Sequence, residues 1–525
     1  MLKTKRLPGI FNDVIGPVMR GPSSSHTAAS WRIARTCLDI LNEPLKKALI
    51  EFDTEGAWAP NYREQGTDMG INGGLLEIEI ADPRLKNTAQ IADEKGIPIA
   101  YEINSFPTNH ANTVRLTLEG AKGNKIQVVA VSIGGGSFEI HQIDDFNVNF
   151  CGDYYELIIW SKNTNSLPDV LKSMLPSNTT LIQSSTDKGS LINIKSPKRI
   201  SDKMIDQLKK NSGIDKIIAI DPVMPIISGN ERELPFTNIA SLLNYAGKEN
   251  LDLGELGLIY EQCRSGLSDA ELVNKMKALV EIIENSIKTG LRGTVYKDRV
   301  LQQQSHLIQK AEQKGRILQN KLVNNIVANV TAIMEAKSAM EVIVANPTAG
   351  SCGAVGGVLK AVAEDLNSSK EQLIKAYFAA GIVGAYFAAG PGFSAEEHGC
   401  QVECGAASGM AAAGIAQLFG GTAKQAISAA SMAIQNMVGL VCDPVADRVE
   451  VPCLGKNISA AMNALSSATM ACSGFDAIIP LDEVIETVSR VSKQMPTCVK
   501  CTGKGGLAIT STSIQLKKYL NNLNT

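Results

Sequence analysis

The sequence predicts a multidomain protein. Residues 1–150 form an α+β N-terminal domain, residues 152–224 a small βαββαβ unit, and residues 236–525 an all-helical C-terminal domain. Three observations carry this division. At 525 residues the chain exceeds what one hydrophobic core usually serves. Alternating apolar runs separated by glycine-bearing loops fill its first part, and apolar residues spaced three or four apart fill its last part. Hydrophobic content of 44% and charged content of 20% are those of a globular protein.

The N-terminal domain takes its strands from Leu75–Ile80 (LLEIEI), Thr113–Leu118 (TVRLTL) and Ile126–Val131 (IQVVAV), the last leading into SIGGGSFEI at Ser132–Ile140. Such runs imply at least one mixed sheet. In the small unit, strands are expected at Glu156–Trp160, Thr179–Gln183, Leu191–Ile194 and Lys216–Ile220. Helices are expected at Leu167–Leu175 and Asp202–Asn211, with Ser166 and Ser201 as N-caps. Their order and size resemble an ACT-type regulatory domain, although the loop SKNTNSLP lacks that family's usual glycine.

In the C-terminal domain, Ser268-Asp269-Ala270-Glu271 is a capping box. Leu272, Met276, Leu279, Ile283 and Ile287 then mark one helical face, and Gly290 is placed to close the helix. Ala406–Leu418 and Ala423–Leu440 are apolar nearly all round, as buried helices are. Ala376–Gly392 is also apolar, but it is rich in Gly and Ala and interrupted by Pro391, which fits a core helix better than a membrane span. A net charge of −2 without a Lys/Arg run offers nothing to nucleic acid. The opening MLKTKRLPGIF has no apolar core of a secretory signal, and eleven cysteines without one point to thiols in a reducing cytoplasm.

Three of those cysteines, Cys400, Cys442 and Cys453, are spaced C-x41-C-x10-C. Simple burial would explain them, since free cysteine is among the most buried residue types. Gly399, Pro444 and Pro452 instead put them on turns at helix ends, where N–H groups stabilise thiolates. Three thiolates can hold three corners of a [4Fe–4S] cube and leave the fourth iron open as a Lewis acid. Cys352, Cys404, Cys498 and Cys501 add further thiols, including a C-x-x-C, but the long gaps and the one nearby histidine, His398, are unlike a zinc ribbon.

A second constellation is GPSSSHTAAS, Gly21–Ser30. Ser23, Ser24, Ser25, His26 and Thr27 crowd the start of a helix through Trp31–Leu41 with more hydroxyls than a cap needs, which suits an anion. His110 and Asn112 lie beside a strand. The glycine loops SIGGGSF, NPTAGSCGAVGG and TGKGGLA have neither phosphate-loop nor dinucleotide spacing, so they serve close backbone approach.

Together these motifs resemble the iron–sulfur-dependent L-serine dehydratases over nearly the whole chain. GPSSSHT, QGTD (65–68), HANTVR (110–115) and SIGGG (132–136) are similar to that family's β part. NPTAGSCG, GCQVECG, CDPVADRVEVPCLGKN and GKGGLA are similar to its α part. The chain departs from the family at Gln65, where His is usual, at Val445–Arg448, where VAGL is usual, and at Lys456, where Arg is usual.

The resemblance implies an L-serine ammonia-lyase that holds a [4Fe–4S] cluster on Cys400, Cys442 and Cys453, with an ACT-like unit between its β and α parts. His26 or His110 would be the base and the other would orient the substrate. Ser23, Ser24, Ser25, Thr27, Thr67, Asp68 and Asn112 would grip the carboxylate and amine of L-serine. Lys456 and Asn457 would contact substrate or a cluster sulfide. A homodimer without nucleic-acid or membrane partners is expected. An iron–sulfur ligand sensor, or the same lyase acting on L-threonine or L-cysteine, are the alternatives. A pyridoxal-phosphate enzyme would need a Schiff-base lysine in a phosphate cup, which the sequence does not display.

Overall fold

The computed structural model describes residues 8–523 except 163–170, 173, 176–178, 211–212 and 225–233. After a two-residue strand β1 (Val18–Met19), the N-terminal domain builds a six-stranded mixed sheet. Its strands are β2 (Leu45–Asp53), β3 (Ile99–Asn104), β4 (Thr113–Gly120), β5 (Lys125–Gly134), β6 (Ser137–Ile143) and β7 (Phe146–Phe150). The order is β3-β2-β4-β5-β6-β7, with β2 and β3 parallel and the other neighbours antiparallel. Val114, Leu116 and Leu118 of β4 point inward at every second residue and meet Ile33, Cys37 and Leu41 of the helix Ala29–Leu41. That contact fixes the helix on the sheet and, with it, the Ser23–Thr27 loop that precedes it.

LLEIEI is not a strand. Leu75 ends the helix Thr67–Leu75, and Glu77 adopts left-handed backbone (φ 56°). Leu76, Ile78 and Ile80 are still buried, so the alternation is genuine. The carbonyls of Ile78 and Ile80 are taken by Trp31 Nε1 and Arg20 N–H instead of a neighbouring strand. Side-chain period alone does not distinguish such an irregular edge from a strand.

The next unit is an antiparallel sheet of β8 (Tyr155–Ser161), β9 (Thr180–Thr186), β10 (Gly189–Ser196) and β11 (Lys216–Ile220), ordered β11-β8-β10-β9. The helix Asp202–Lys209 follows its N-cap Ser201, whose Oγ accepts from Met204 N–H. The helix predicted at 167–175, with its cap Ser166, falls mostly outside the described residues. Leu157, Ile159, Ile192 and Ile194 pack beneath Ile205 and Leu208. Ile158, Leu191 and Ile218, on the opposite face, join the core of the six-stranded sheet.

The remainder is helical apart from β12 (Ile343–Val344), which pairs with β1. Through that pair, and through Ile10, Phe11 and Val14, the first described residues insert into the helical core. Tyr260 Oη donates to Pro8 O at 2.7 Å, and Ile10 N–H donates to Glu261 at 2.9 Å. The helix Asp269–Arg292 carries the expected capping box and buries Leu272, Met276, Ile283 and Ile287. It runs past Gly290 and ends at Gly293. Gly290 serves close packing: a Cβ there would lie 2.0 Å from Ala332 O. Lys370–Ala389 is the one helix among the described residues long and apolar enough to cross a membrane, and 78% of its most apolar window is buried inside the protein.

Candidate active site

The hydroxyl loop folds as one π-helical turn, Ser24–Ala28, capped by Ser23, whose Oγ accepts from His26 N–H. The turn points His26 into the interior, where it is wholly buried and lies over Trp58 with ring centroids 5.6 Å apart. His26 Nε2 is 3.1 Å from Asn61 Oδ1, and Asn61 Nδ2 donates to Cys501 O at 3.4 Å. Because the amide nitrogen faces a carbonyl, its oxygen must face the ring, so Nε2 carries the proton. Nδ1 is then the basic atom. It faces Ser23 Oγ at 3.1 Å, Ser25 Oγ at 3.2 Å and Glu396 Oε1 at 3.4 Å.

Glu396 completes this group. Ser25 donates to its Oε1 at 2.8 Å and Ser394 to its Oε2 at 2.9 Å. Burial lowers the His26 pKa against the opposing pull of Glu396. Glu396 is itself held below the usual carboxylate range, because His26 and three hydrogen bonds outweigh its burial. The result is a buried carboxylate, two hydroxyls and an imidazole sharing mobile protons.

His110 stands apart. Its Nδ1 accepts Asn112 N–H at 3.0 Å, so its proton sits on Nε2, 4.0 Å from Glu397. With one nitrogen occupied and the other protonated, His110 has no lone pair to offer and orients better than it abstracts. Asn112 Nδ2 reaches Ser132 O at 3.4 Å. Ser24 accepts Ala349 N–H at 3.1 Å, and Thr27 donates to Gln65 O at 3.0 Å. These contacts draw the NPTAGSCG and QGTD segments onto the hydroxyl loop. Asp68 is half-buried, accepts from Met69 N–H, and is pushed up to about 7 by burial. No hydrogen bond among the described residues joins it to the His26 group.

Several buried polar atoms on these loops have no partner: Asn112 Oδ1, Ser132 Oγ, Thr67 Oγ1, Gln65 Oε1 and both amide atoms of Asn346. Native interiors leave few such atoms. Grouped on loops that meet, they suit a small polar ligand.

The three cysteines lie on the other side of Asn61. Cys400 opens the short turn Cys400–Val402, and Cys453 opens the helix Cys453–Cys472. Cys442 is bridged to Lys500. All three are buried. Each thiol acts on one ammonium, Lys456, which together with Asp443 they keep charged despite its burial. Lys456 Nζ also donates to Val441 O and Asp443 Oδ1, both at 2.7 Å, so it anchors the Cys442 loop. A hydrogen bond from Cys404 brings the Cys400 thiol down to about 7. Among the described residues no three His, Cys, Asp or Glu side chains converge on a point fit for a single ion.

Asn457, placed in the substrate set by sequence, is a brace instead. Its Oδ1 accepts from Ala354 N–H at 3.0 Å, and its Nδ2 donates to Gly350 O and Cys453 O at 2.8 Å. Sequence reasoning missed Glu396, Asn61, Asn346 and Glu403. Glu403 accepts from Thr348 Oγ1 at 2.7 Å and is pushed up to about 8 by burial and by Cys400. Glu396 had a signal, since it lies in the acidic run just before Cys400; Asn61 had none.

The family model "Serine dehydratase alpha chain" matches residues 177–508. The probable L-serine dehydratase alpha chain of Bacillus subtilis is 36% identical over 285 residues, covering 54% of this chain and 95% of that protein. The probable beta chain of the same organism is 37% identical over 147 residues, covering 28% of this chain and 66% of that protein. L-serine dehydratase 1 of Escherichia coli is 40% identical over 180 residues, 34% of this chain and 40% of that protein. Similarity to an α chain and to a β chain thus occurs in a single polypeptide, and the chain belongs to the serine dehydratase family, with both parts fused.

Proposed function

We propose that this protein is an L-serine ammonia-lyase, which converts L-serine to pyruvate and ammonia with a [4Fe–4S] cluster held by Cys400, Cys442 and Cys453. One observation carries the reading: the buried His26–Ser25–Glu396 group is tied through Asn61 to Cys501, whose thiol touches Cys442. A proton-transfer group and a metal-binding group therefore share one site. The donor set fits the cluster, because three buried thiols face the ammonium of Lys456, while the fully buried Lys337 acts on Cys453. Those cations offset thiolate charge.

When bound, the cluster supplies a Lewis-acidic iron that makes the substrate hydroxyl a better leaving group. The protein's residues do the rest. The unpartnered amide and hydroxyl atoms of Asn112, Ser132, Thr67 and Asn346 receive the carboxylate and ammonium. The Cα proton is taken by a serine hydroxyl oxygen, Ser23 or Ser25, as that hydroxyl passes its own proton to His26 Nδ1 or Glu396. Burial shields the group from water. Loss of water leaves aminoacrylate, which tautomerises and hydrolyses to pyruvate and ammonia without a redox change.

The domains are assigned as a β-type part at 1–150, an ACT-like module at 152–224 and an α-type part at 236–525. The strand order β11-β8-β10-β9, with a helix on one face, supports the ACT-like assignment. A cytoplasmic homodimer is the proposed working form.

Anaerobic purification, a visible spectrum and a pyruvate assay with L-serine test this function. A broad sulfide-to-iron band, with pyruvate release that disappears on exposure to air, is expected. Pyruvate release by iron-free protein would overturn the reading.

A further inference from the structure

Cys501 lies beside the proposed cluster ligand Cys442. Cys442 N–H donates to Val499 O at 2.8 Å, and Cys442 O accepts from Cys501 N–H at 2.8 Å; this parallel bridge pairs Cys442 with Lys500 and sets Cys501 next to the bridge. Each thiol is the first influence on the other's ionisation, and both are pushed up from the usual cysteine range. Both are buried, and both are free cysteines. Gln65, which stands where the family usually has histidine, donates from Nε2 to the Cys501 sulfur at 3.7 Å. Cys501 also holds left-handed backbone (φ 59°), a conformation that L-residues rarely adopt. Such a conformation points to a function for the position.

We infer that Cys442 and Cys501 are an oxidation site: in the iron-free protein a peroxide closes them into a disulfide. One thiol attacks a peroxide oxygen as its proton passes to the departing oxygen, which forms a sulfenic acid and releases water. The second thiol attacks the sulfenic sulfur, the S–S bond forms, and a second water leaves. Two thiols lose two electrons and two protons, and one hydrogen peroxide becomes two waters. The bond withdraws Cys442 from metal binding until a thiol reductant reopens it, and it spares Cys442 from irreversible oxidation. This consequence rests on the cluster reading, whereas the disulfide itself rests on the thiol pair.

Tryptic mapping reads the pair directly. Cys442 is the only cysteine of the peptide Gln425–Arg448, Cys501 the only one of Cys501–Lys504, and Cys498 lies in the separate peptide Gln494–Lys500. Full-length protein stripped of iron by chelation under a reductant, then freed of both, is treated with hydrogen peroxide, alkylated and digested without reduction. The expected product is Gln425–Arg448 joined to Cys501–Lys504, lost after dithiothreitol. In Cys501→Ser the same treatment should carry Cys442 on to sulfinic acid, which dithiothreitol does not reverse. Alkylated Cys501 in the oxidised wild type, or Cys442 joined to another cysteine, would overturn the inference. A protein that forms this bond yet never takes up iron and sulfide would sink the cluster reading alone; one that takes them up but never forms the bond would sink the oxidation site alone.

Discussion

The two halves of the site are built on opposite principles. Around His26, polar atoms satisfy one another: Ser23, Ser25, Asn61, Ser394 and Glu396 each have a partner at 2.8–3.4 Å. Around Cys453, three thiols and two ammonium groups, the buried Lys337 and the partly buried Lys456, gather without converging on an ion position among the described residues. The first half is complete as folded. The second is a set of thiols around the Lys456 ammonium, held by charge more than by hydrogen bonds. The N-terminal domain supplies most of the first half and the helical domain nearly all of the second. The two meet at Asn61 and Cys501.

Removing a residue from either half should therefore give different losses. Cys442→Ser should have the largest effect, abolishing iron and sulfide content and serine turnover together; metal analysis and a pyruvate assay on the same sample check it. An active variant without iron would erase the distinction between the halves. His26→Ala should leave iron content and the visible band at wild-type levels while turnover falls about 10²–10⁴-fold, the usual worth of a positioned acid–base group. If only KM rises, His26 binds substrate and does not handle the proton. Loss of the band in His26→Ala would mean that the first half also builds the second.

A smaller loss should follow from Lys456→Met. The variant removes the anchor at Val441 O and Asp443 and the charge that the three thiols share. Supporting residues of metal sites are typically worth 10–100-fold in metal affinity, so iron retention during graded chelation should weaken by about that factor while the fold persists. Unchanged retention would make Lys456 a plain structural cation.

The same contrast governs what could be read from the sequence. The thiol half was legible because cysteine, glycine and proline at turns leave local marks, and the thiols of Cys400, Cys442 and Cys453 all act on Lys456. The acid–base half was legible only where its members are consecutive. The Ser23–His26 run stood out, but Asn61 and Glu396 join it from 35 and 370 residues away, and no local pattern marks such partners. The fold divides likewise. The amphipathic helix Asp269–Arg292 and the four strands of the small unit follow from period and capping. The segment 75–80 alternates as a strand does, yet it is ordered by Trp31 and Arg20, which are remote in sequence. Gly290, a helix end by local rule, owes its place to Ala332 across a helix contact.

The weakest expected effect lies in the four-stranded unit, which tests whether a buried acid outside both halves touches catalysis at all. Glu156 of β8 is 3% exposed and accepts from Asn193 Nδ2 at 2.7 Å, and burial pushes its pKa up to about 8. Its folded pKa lies above its unfolded value near 4.5, so the folded state holds a proton that the unfolded state releases between those two values. Stability contributed by this residue is then fully present below about pH 4.5 and is lost as pH rises toward about 8, by at most about 1.4 kcal/mol per pH unit. Glu156→Gln mimics the protonated form and should flatten that slope, raising the thermal midpoint at about pH 8 relative to wild type and leaving it nearly unchanged near pH 5. Serine turnover per bound cluster should not move. Equal midpoints for the two proteins at both pH values would show that Glu156 ionises in the fold as it does in water, and a change in turnover would tie the four-stranded sheet to catalysis.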